Sequence, residues 1–179
     1  MRATTISPIS KRLFFSFSSK ALEFDYLYGI NPVECALHAN RRHFESLYLS
    51  DSEHIELSSR TAKMIQLAKA TSIPIIFTHK DKLARMVKQQ PHQNIVLKCS
   101  PLELLPVKST LSFKPGVYVF CDKITDPQNF GAILRSCLFF GVEAVFTGRK
   151  HHCPLNPTVS KASAGAAELI PTHLVENSS

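Results

Sequence analysis

The stretch DKITDPQNFGAILRSCLFFG, residues 122–141, decides the fold of the second half of the chain. Asp126 before Pro127 predicts a helix start, because Asp accepts backbone N–H groups as an N-cap and Pro fits the first turn. Apolar residues then recur at i, i+3, i+4, i+7 and i+8, which indicates an amphipathic helix with one packed face. This predicted face consists of Phe130, Ile133, Leu134, Cys137 and Leu138.

The predicted helix lies between two predicted strands. VYVFC (117–121) precedes it as a buried strand, and VEAVFTG (142–148) follows it. A strand, a helix and a second strand within about 30 residues form a βαβ unit. Asp122 comes at the carboxyl end of the first strand, where open α/β sheets place ligand sites.

Gly131 and Arg135 are four residues apart and fall together on another face of the helix. A glycine there lets a partner approach closely and leaves space beside the guanidinium. The arginine is either part of a site or a solvated surface charge, and its spacing does not decide between the two.

Helices and strands also alternate in residues 26–99. In LYGINPVECAL (27–37), Gly29 and Asn31-Pro32 predict the start of a first helix, which Arg41, Arg42 and His43 close. Further helices are predicted at residues 59–70 and 80–88. Strands are predicted at SLYLS (46–50), at IPIIF (73–77), which is predicted to be buried, and at NIVLKC (94–99). Such alternation with short connections predicts a small α/β layer structure. Residues 100–115, with several prolines and serines, have the composition of a linker.

The absence of GxGxxG and GxxxxGK[ST] motifs weighs against a dinucleotide or ATP site.

The composition is that of an ordinary globular protein, with 44% hydrophobic and 20% charged residues. The apolar runs are far shorter than the ~20 residues that a membrane span needs. The formal net charge is +7, but residues 1–24 hold four basic residues against one acid. The remaining positive charge permits a nucleic-acid partner without requiring one.

The N-terminal segment, residues 1–24, is rich in serine and poor in acidic residues, with Glu23 as the one acid. Scattered basic residues in such a context are typical of a mitochondrial transit peptide. The alternative is a basic tail without structure. We exclude this segment from the predicted fold in either case.

The five cysteines are widely spaced and include no CxxC pair, which argues against a disulfide framework and favours a reducing compartment. His151, His152 and Cys153 are adjacent, and three neighbouring residues cannot all turn to one ion from regular structure. The sequence therefore predicts no metal site.

Several stretches carry a family resemblance. DKITDPQNFGAILRSCLFFGVEAVF (122–146) resembles the first signature motif of SpoU-type RNA methyltransferases of the SPOUT superfamily, and VSKASAGAAELIP (159–171) resembles the next conserved stretch. LYGINPVECAL and HQNIVLKCSPL (92–102) are similar to parts of the substrate-binding domain that precedes the catalytic domain in that family. The family usually has glycine after the His-Gln pair; this chain has Asn94, which tolerates left-handed backbone.

The resemblance implies an α/β fold of two domains. A small ribosomal-protein-like α/β domain that binds the RNA substrate occupies residues 26–99, and the linker covers 100–115. Residues 116–179 then form the N-terminal part of an α/β-knot methyltransferase domain.

The resemblance also implies transfer of a methyl group from S-adenosylmethionine to a ribose 2′-OH of RNA. Arg135 would lie at the hydroxyl, and Asn129 would hold the loop or the ribose, unless it is only a hydrogen bonder at the helix start. Arg41, Arg42, Lys80 and Lys82 are candidates for contacts to RNA phosphates or are solvated helix ends. With the transit-like N-terminus, the resemblance implies a member in the mitochondrial matrix that methylates a guanosine ribose of large-subunit rRNA.

In this family the cofactor pocket comes from a knotted C-terminal region, and a final helix mediates dimerisation. The signatures of that region, a glycine- and glutamate-containing loop and a proline- and serine-asparagine-rich segment, do not occur before Ser179. We therefore expect an incomplete knot domain, no binding of S-adenosylmethionine by this chain alone, and no homodimer through that helix. The open alternatives are a ribose methyltransferase, a catalytically inactive RNA-binding or regulatory form, and an unrelated soluble α/β domain.

Overall fold

A computed structural model of the chain describes residues 23–51, 58–107 and 113–176. The predicted transit peptide falls outside these residues except for its last two positions. The described part folds into two α/β units, each with a four-stranded sheet. No helix in this part is both long and apolar enough to cross a bilayer.

The first unit has three helices and four strands in alternation. In chain order these are β1 (Asp25–Tyr28), α1 (Ile30–Ala39), β2 (Phe44–Ser50), α2 (Ser59–Ala70), β3 (Ile75–Thr78), α3 (Lys80–Met86) and β4 (Ile95–Cys99). The sheet order is β1-β4-β2-β3, with β4 antiparallel to both neighbours and β3 parallel to β2. Its main core, between the sheet and helices α1 and α2, includes Leu27, Val33, Leu47, Met64 and Leu97.

Local signals place the helices of the first unit well. The predicted helix 59–70 is confirmed, and Ser58 caps it by accepting a hydrogen bond from the Thr61 backbone N–H at 3.2 Å. Asn94 has a φ of 62°, as expected for the position where the family has glycine. One boundary differs: α1 ends at Ala39 with Asn40 in the left-handed conformation, so Arg41 and Arg42 lie beyond the helix.

The second unit is a parallel sheet in the order β5-β8-β7-β6. Its elements are β5 (Leu105–Pro106), β6 (Tyr118–Cys121), α4 (Pro127–Phe139), β7 (Ala144–Gly148), α5 (Pro157–Ala162), α6 (Ala166–Leu169) and β8 (Thr172–Val175). The βαβ unit predicted from residues 117–148 is confirmed as β6-α4-β7 with parallel strands. Strand β5 comes from the predicted linker and pairs with β8.

Two predicted strands exist but are less buried than expected. Strand β3 lies at the edge of the first sheet, where Phe77 is 58% exposed. Strand β6 is an edge of the described second sheet, where Phe120 in the strand and Val117 just before it are exposed. A continuous apolar run predicts a strand but does not distinguish a central position from an edge.

Helix α4 begins as its sequence predicts. The carboxylate of Asp126 accepts a hydrogen bond from the Asn129 backbone N–H at 2.7 Å, and Pro127 is the first helical residue. The buried face consists of Phe130, Gly131, Leu134 and Cys137, whereas Leu138 is 39% exposed although it was predicted to pack. Gly131 is buried because α5 crosses α4 at this point.

The crossing at Gly131 leaves no room for a side chain. An added Cβ would lie 2.5 Å from the Ala162 Cβ and 3.0 Å from the Ser163 backbone nitrogen. We expect Gly131→Val to lower the free energy of unfolding by about 2–3 kcal/mol, because backbone atoms of α5 cannot yield as a side chain would. Urea denaturation followed by circular dichroism measures this loss.

The control for Gly131→Val is Ala132→Val at the next, exposed position of the same helix. This change should cost no more than the ~0.7 kcal/mol of helix propensity. Equal losses in both variants would contradict the close crossing of α4 and α5.

Candidate functional site

Arg135 lies on the exposed side of α4, one helical turn after Gly131. Among the hydrogen bonds and ion pairs of the described residues, none involves its side chain, so the guanidinium is available to a ligand. It lines a cavity of about 550 Å³ at the junction of the two units. The other lining residues are Cys35, Ser136, Leu138, Phe139, Phe140, Ser163, Ala164, Ala166 and Leu169.

The cavity beside Arg135 combines one cation with apolar and small polar groups. Phe139 and Phe140 are 81% and 76% exposed, and their ring centroids are 5.2 Å apart in an edge-on arrangement. No carboxylate is among the lining residues. Exposed aromatic rings beside a guanidinium are a combination that nucleic-acid-binding surfaces use, since bases stack on rings and phosphates pair with arginine.

Asn129 lies in the first turn of the same helix and is exposed. It is six residues before Arg135, which places the two side chains about 120° apart around the helix and roughly 9 Å apart along its axis. The two side chains therefore do not share one face of the helix, and a joint role of Asn129 and Arg135 stays a prediction. The helix-start role belongs to Asp126, which binds the backbone rather than the side chain of Asn129.

Arg42 is not on the surface, which corrects the prediction that it contacts RNA phosphates. Its side chain is 0% exposed and forms an ion pair with Glu168 of the second unit, which is equally buried. Its Nη1 group lies 2.8 Å from a carboxylate oxygen of Asp25. A phosphate cannot reach a guanidinium that is enclosed and already paired, so we do not carry Arg42 forward as an RNA contact.

Arg41 is half-buried, and its Nη1 donates to backbone carbonyls at the end of α6. The acceptors are Ala167 at 3.4 Å, Glu168 at 3.2 Å and Ile170 at 3.3 Å. Nη1 therefore contacts the second unit, whereas Nη2 is buried without a hydrogen-bond partner among the described residues.

Lys80 and Lys82 are both exposed on helix α3. Lys80 lines a polar cavity of about 450 Å³ together with His92, Gln93 and Asn94. Burial lowers the pKa of His92, and the nearby positive charges of Lys80 and Lys161 act in the same direction. The four residues predicted to contact RNA thus separate into an exposed pair on α3 and a pair at the contact between the units.

Sequence reasoning missed three residues at the contact between the units: Ser160, Lys161 and Glu168. All three belong to VSKASAGAAELIP, the stretch that carried the second motif resemblance. No local signal could have found them, because a glutamate in a short helix is usually solvated and the partner of Glu168, Arg42, lies 126 residues away in the chain. Within the described residues, no cluster of His, Cys, Asp and Glu forms a metal site.

Two family models match the chain. Residues 26–105 match the model described as RNA 2′-O ribose methyltransferase substrate binding. Residues 116–179 match the model described as the SpoU rRNA methylase family. Together they cover both folded units.

Individual relatives agree with these models. The chain is 38% identical over 151 residues to "rRNA methyltransferase 1, mitochondrial" of Homo sapiens, covering 82% of this chain and 42% of the relative. It is 31% identical over 156 residues to "23S rRNA (guanosine-2′-O-)-methyltransferase RlmB" of Coxiella burnetii, covering 84% of this chain and 61% of the relative. The chain thus spans less than two thirds of the length of these curated relatives.

A solved structure shows the same fold at low identity. The S-adenosylmethionine-bound rRNA methyltransferase from Sinorhizobium meliloti aligns with a TM-score of 0.67 and 16% identity, covering 84% of this chain and 54% of that chain.

Proposed function

Because the chain belongs to the SpoU family of rRNA methylases, we propose that it methylates a ribose 2′-OH of ribosomal RNA. The finer proposal is a guanosine of the mitochondrial large-subunit rRNA, with S-adenosylmethionine as the methyl donor and a homodimer as the working form. Relatives named as mitochondrial rRNA methyltransferases and as a 23S rRNA guanosine-2′-O-methyltransferase support it.

The observation that carries the proposal is Arg135, an exposed guanidinium beside a cavity and without a partner among the described residues. It occupies the arginine position of the family's first motif. A site for RNA needs such a group, since both the phosphate next to the target ribose and the reacting oxygen carry or develop negative charge.

Arg135 is poorly suited to act as a general base. A guanidinium is effectively always protonated in proteins, so it cannot take the proton of the 2′-OH. It can donate hydrogen bonds to the 2′-oxygen and to the neighbouring phosphate at once, because its donors form a planar fork. We therefore assign it the orientation of the ribose and the stabilisation of negative charge as the hydroxyl loses its proton.

The residues around Arg135 do not fit S-adenosylmethionine. The cofactor carries a sulfonium, an ammonium and one carboxylate, so its net charge is positive, and the one charged group among the cavity's lining residues is the Arg135 guanidinium. Net charges of the same sign repel, and the lining residues include no carboxylate that could bind the sulfonium or the ammonium. We derive no step through the cofactor and assign this cavity to the RNA.

Lys80 and Lys82 provide a test of the RNA-binding role of the first unit. If both contact phosphates, Lys80→Ala/Lys82→Ala should weaken RNA binding and reduce the slope of log affinity against log salt by about 1.4, at ~0.7 for each single-stranded contact. Fluorescence anisotropy with a labelled rRNA fragment at several salt concentrations measures both.

The matched control is Lys63→Ala/Lys69→Ala, which removes two exposed lysines from helix α2 instead. An equal reduction of the slope in the control would show that the reduction comes from the lower net charge of the protein and not from phosphate contacts of helix α3.

The reaction itself is tested by product identification. A complete enzyme that contains this chain is incubated with labelled S-adenosylmethionine and rRNA, and the RNA is digested to nucleosides for mass spectrometry. A 2′-O-methylated nucleoside is the expected product. A base-methylated nucleoside would refute ribose chemistry, and RNA binding without any transfer would favour the non-catalytic alternative.

A further inference from the structure

A buried ion pair joins the two units of this chain. Arg42 donates from Nε and Nη2 to the two carboxylate oxygens of Glu168, each at 2.9 Å, which is the bidentate arrangement. Both side chains are 0% exposed. The residues are 126 positions apart, so the pair forms only when the second unit sits against the first.

The remaining polar atoms of this pair are also satisfied. Nη1 of Arg42 donates to Asp25 and to the Ser100 carbonyl, both at 2.8 Å, and the Ser160 hydroxyl donates to Glu168 at 2.7 Å. Burial alone would lower the pKa of Arg42, but hydrogen bonding and the charge of Glu168 hold it above its ordinary value. We call Arg42, Glu168, Asp25 and Ser160 the interlock.

Further contacts surround the interlock. Lys161 donates to the Gln93 side-chain oxygen at 3.0 Å, and that oxygen also accepts from the Ile30 backbone N–H at 3.2 Å. Gly165 has a φ of 91°, and an added Cβ there would lie 2.6 Å from the Cys35 Sγ. The turn between α5 and α6 therefore packs closely against helix α1.

The same α5–α6 segment reaches the candidate site. Its Ala162 and Ser163 meet Gly131 of α4, and its Ser163 and Ala166 line the cavity beside Arg135. Arg135 lies one turn along α4 from that crossing. A continuous series of close contacts thus runs from the first unit through the interlock to the helix that carries Arg135.

We propose that Glu168 is a positioning residue: through the interlock it fixes the RNA-binding unit in one orientation relative to Arg135. A buried charge pair that satisfies all its hydrogen bonds specifies one arrangement, because any shift leaves a charge enclosed without its partner. RNA bound to the first unit therefore lies in one fixed position relative to Arg135. The test of this inference by enzyme activity (the activity arm) rests on the proposed function. The test of the orientation of the two units (the orientation arm) does not.

The orientation arm uses nuclear magnetic resonance on this chain. Glu168→Gln keeps the side-chain volume and removes the charge. In the unmodified protein, the residual dipolar couplings of both units should fit one alignment tensor, as for units in one fixed orientation. In Glu168→Gln, the two units should need two different tensors. A matched control, Glu45→Gln, removes the carboxylate of the partly exposed ion pair with Lys98 and should retain one tensor. One shared tensor in Glu168→Gln, with both units folded, would overturn the interlock.

A second variant covers the case in which Glu168→Gln fails to fold. Arg42→Lys keeps the positive charge but loses the bidentate fork, and it should also give two tensors. A shared tensor in that variant would likewise overturn the proposal. Chemical shifts of each unit report in the same experiment whether it is folded.

The activity arm separates positioning from binding. In a folded Glu168→Gln or Arg42→Lys protein, kcat for ribose methylation should fall at least tenfold while RNA affinity stays within twofold. Unchanged kcat with two tensors would overturn the positioning role. If a complete enzyme that contains this chain methylates no RNA, the proposed function fails, and the tensors still decide whether the interlock fixes the two units.

Discussion

In a complete enzyme that contains this chain, Arg135→Ala should reduce ribose methylation by at least about 100-fold, in the range seen when one group that stabilises reaction charge is removed from an active site. The reason is that the described residues lining the cavity include no other cation, so no neighbouring group replaces the guanidinium. Arg135→Lys should recover part of the rate, because lysine restores the charge but not the planar fork. The measurement is single-turnover methyl transfer to rRNA.

The fold of the Arg135→Ala protein should be unaffected, since the side chain is exposed and makes no hydrogen bond or ion pair among the described residues. Arg60→Ala is the matched control, because Arg60 is an exposed arginine of helix α2 that pairs with Glu34. Its methylation rate should stay near that of the unmodified protein. Near-normal transfer by Arg135→Ala would remove Arg135 from the mechanism.

Glu168→Ala should lower the free energy of unfolding by about 3–5 kcal/mol, the range found when one partner of a buried ion pair is removed. The loss comes mainly from Arg42, whose enclosed positive charge keeps only the partly exposed Asp25 as a counter-ion. Urea denaturation monitored by circular dichroism gives the value.

Two further variants test the cause of that loss. Glu45→Ala breaks a partly exposed pair with Lys98 and should cost no more than ~1 kcal/mol. Combining Glu168→Ala with Arg42→Met should recover stability relative to Glu168→Ala alone, because the enclosed arginine charge is gone and only the partly exposed Asp25 carboxylate is left without its partner. A loss below 1 kcal/mol for Glu168→Ala would contradict the burial of the pair.

The sequence was sufficient where the determinants are local. Asp126 and Pro127 predicted the start of α4 because a cap and a first-turn proline act within one turn of the chain. Helix 59–70 and the parallel β6-α4-β7 unit followed from apolar periodicity for the same reason. The left-handed backbone at Asn94 followed from the family resemblance, which has glycine at this position, since Asn tolerates that conformation.

The sequence was insufficient where the determinant lies far away in the chain. Arg42 follows Arg41 in a polar context typical of a solvated surface, and its burial depends on Glu168, 126 residues later. The edge positions of β3 and β6 likewise depend on which strands pair, a property of the whole sheet. Glu168 itself was hidden because a carboxylate at the end of a helix is usually solvated.

The central claim is that this protein methylates a ribose and not a base of ribosomal RNA. The most direct test is mass-spectrometric analysis of nucleosides from mitochondrial large-subunit rRNA, comparing cells that carry the intact gene with cells in which it is disrupted. The predicted result is the loss of one 2′-O-methylguanosine on disruption and its return with the unmodified protein, but not with Arg135→Ala. Unchanged 2′-O-methylation after disruption would contradict the claim.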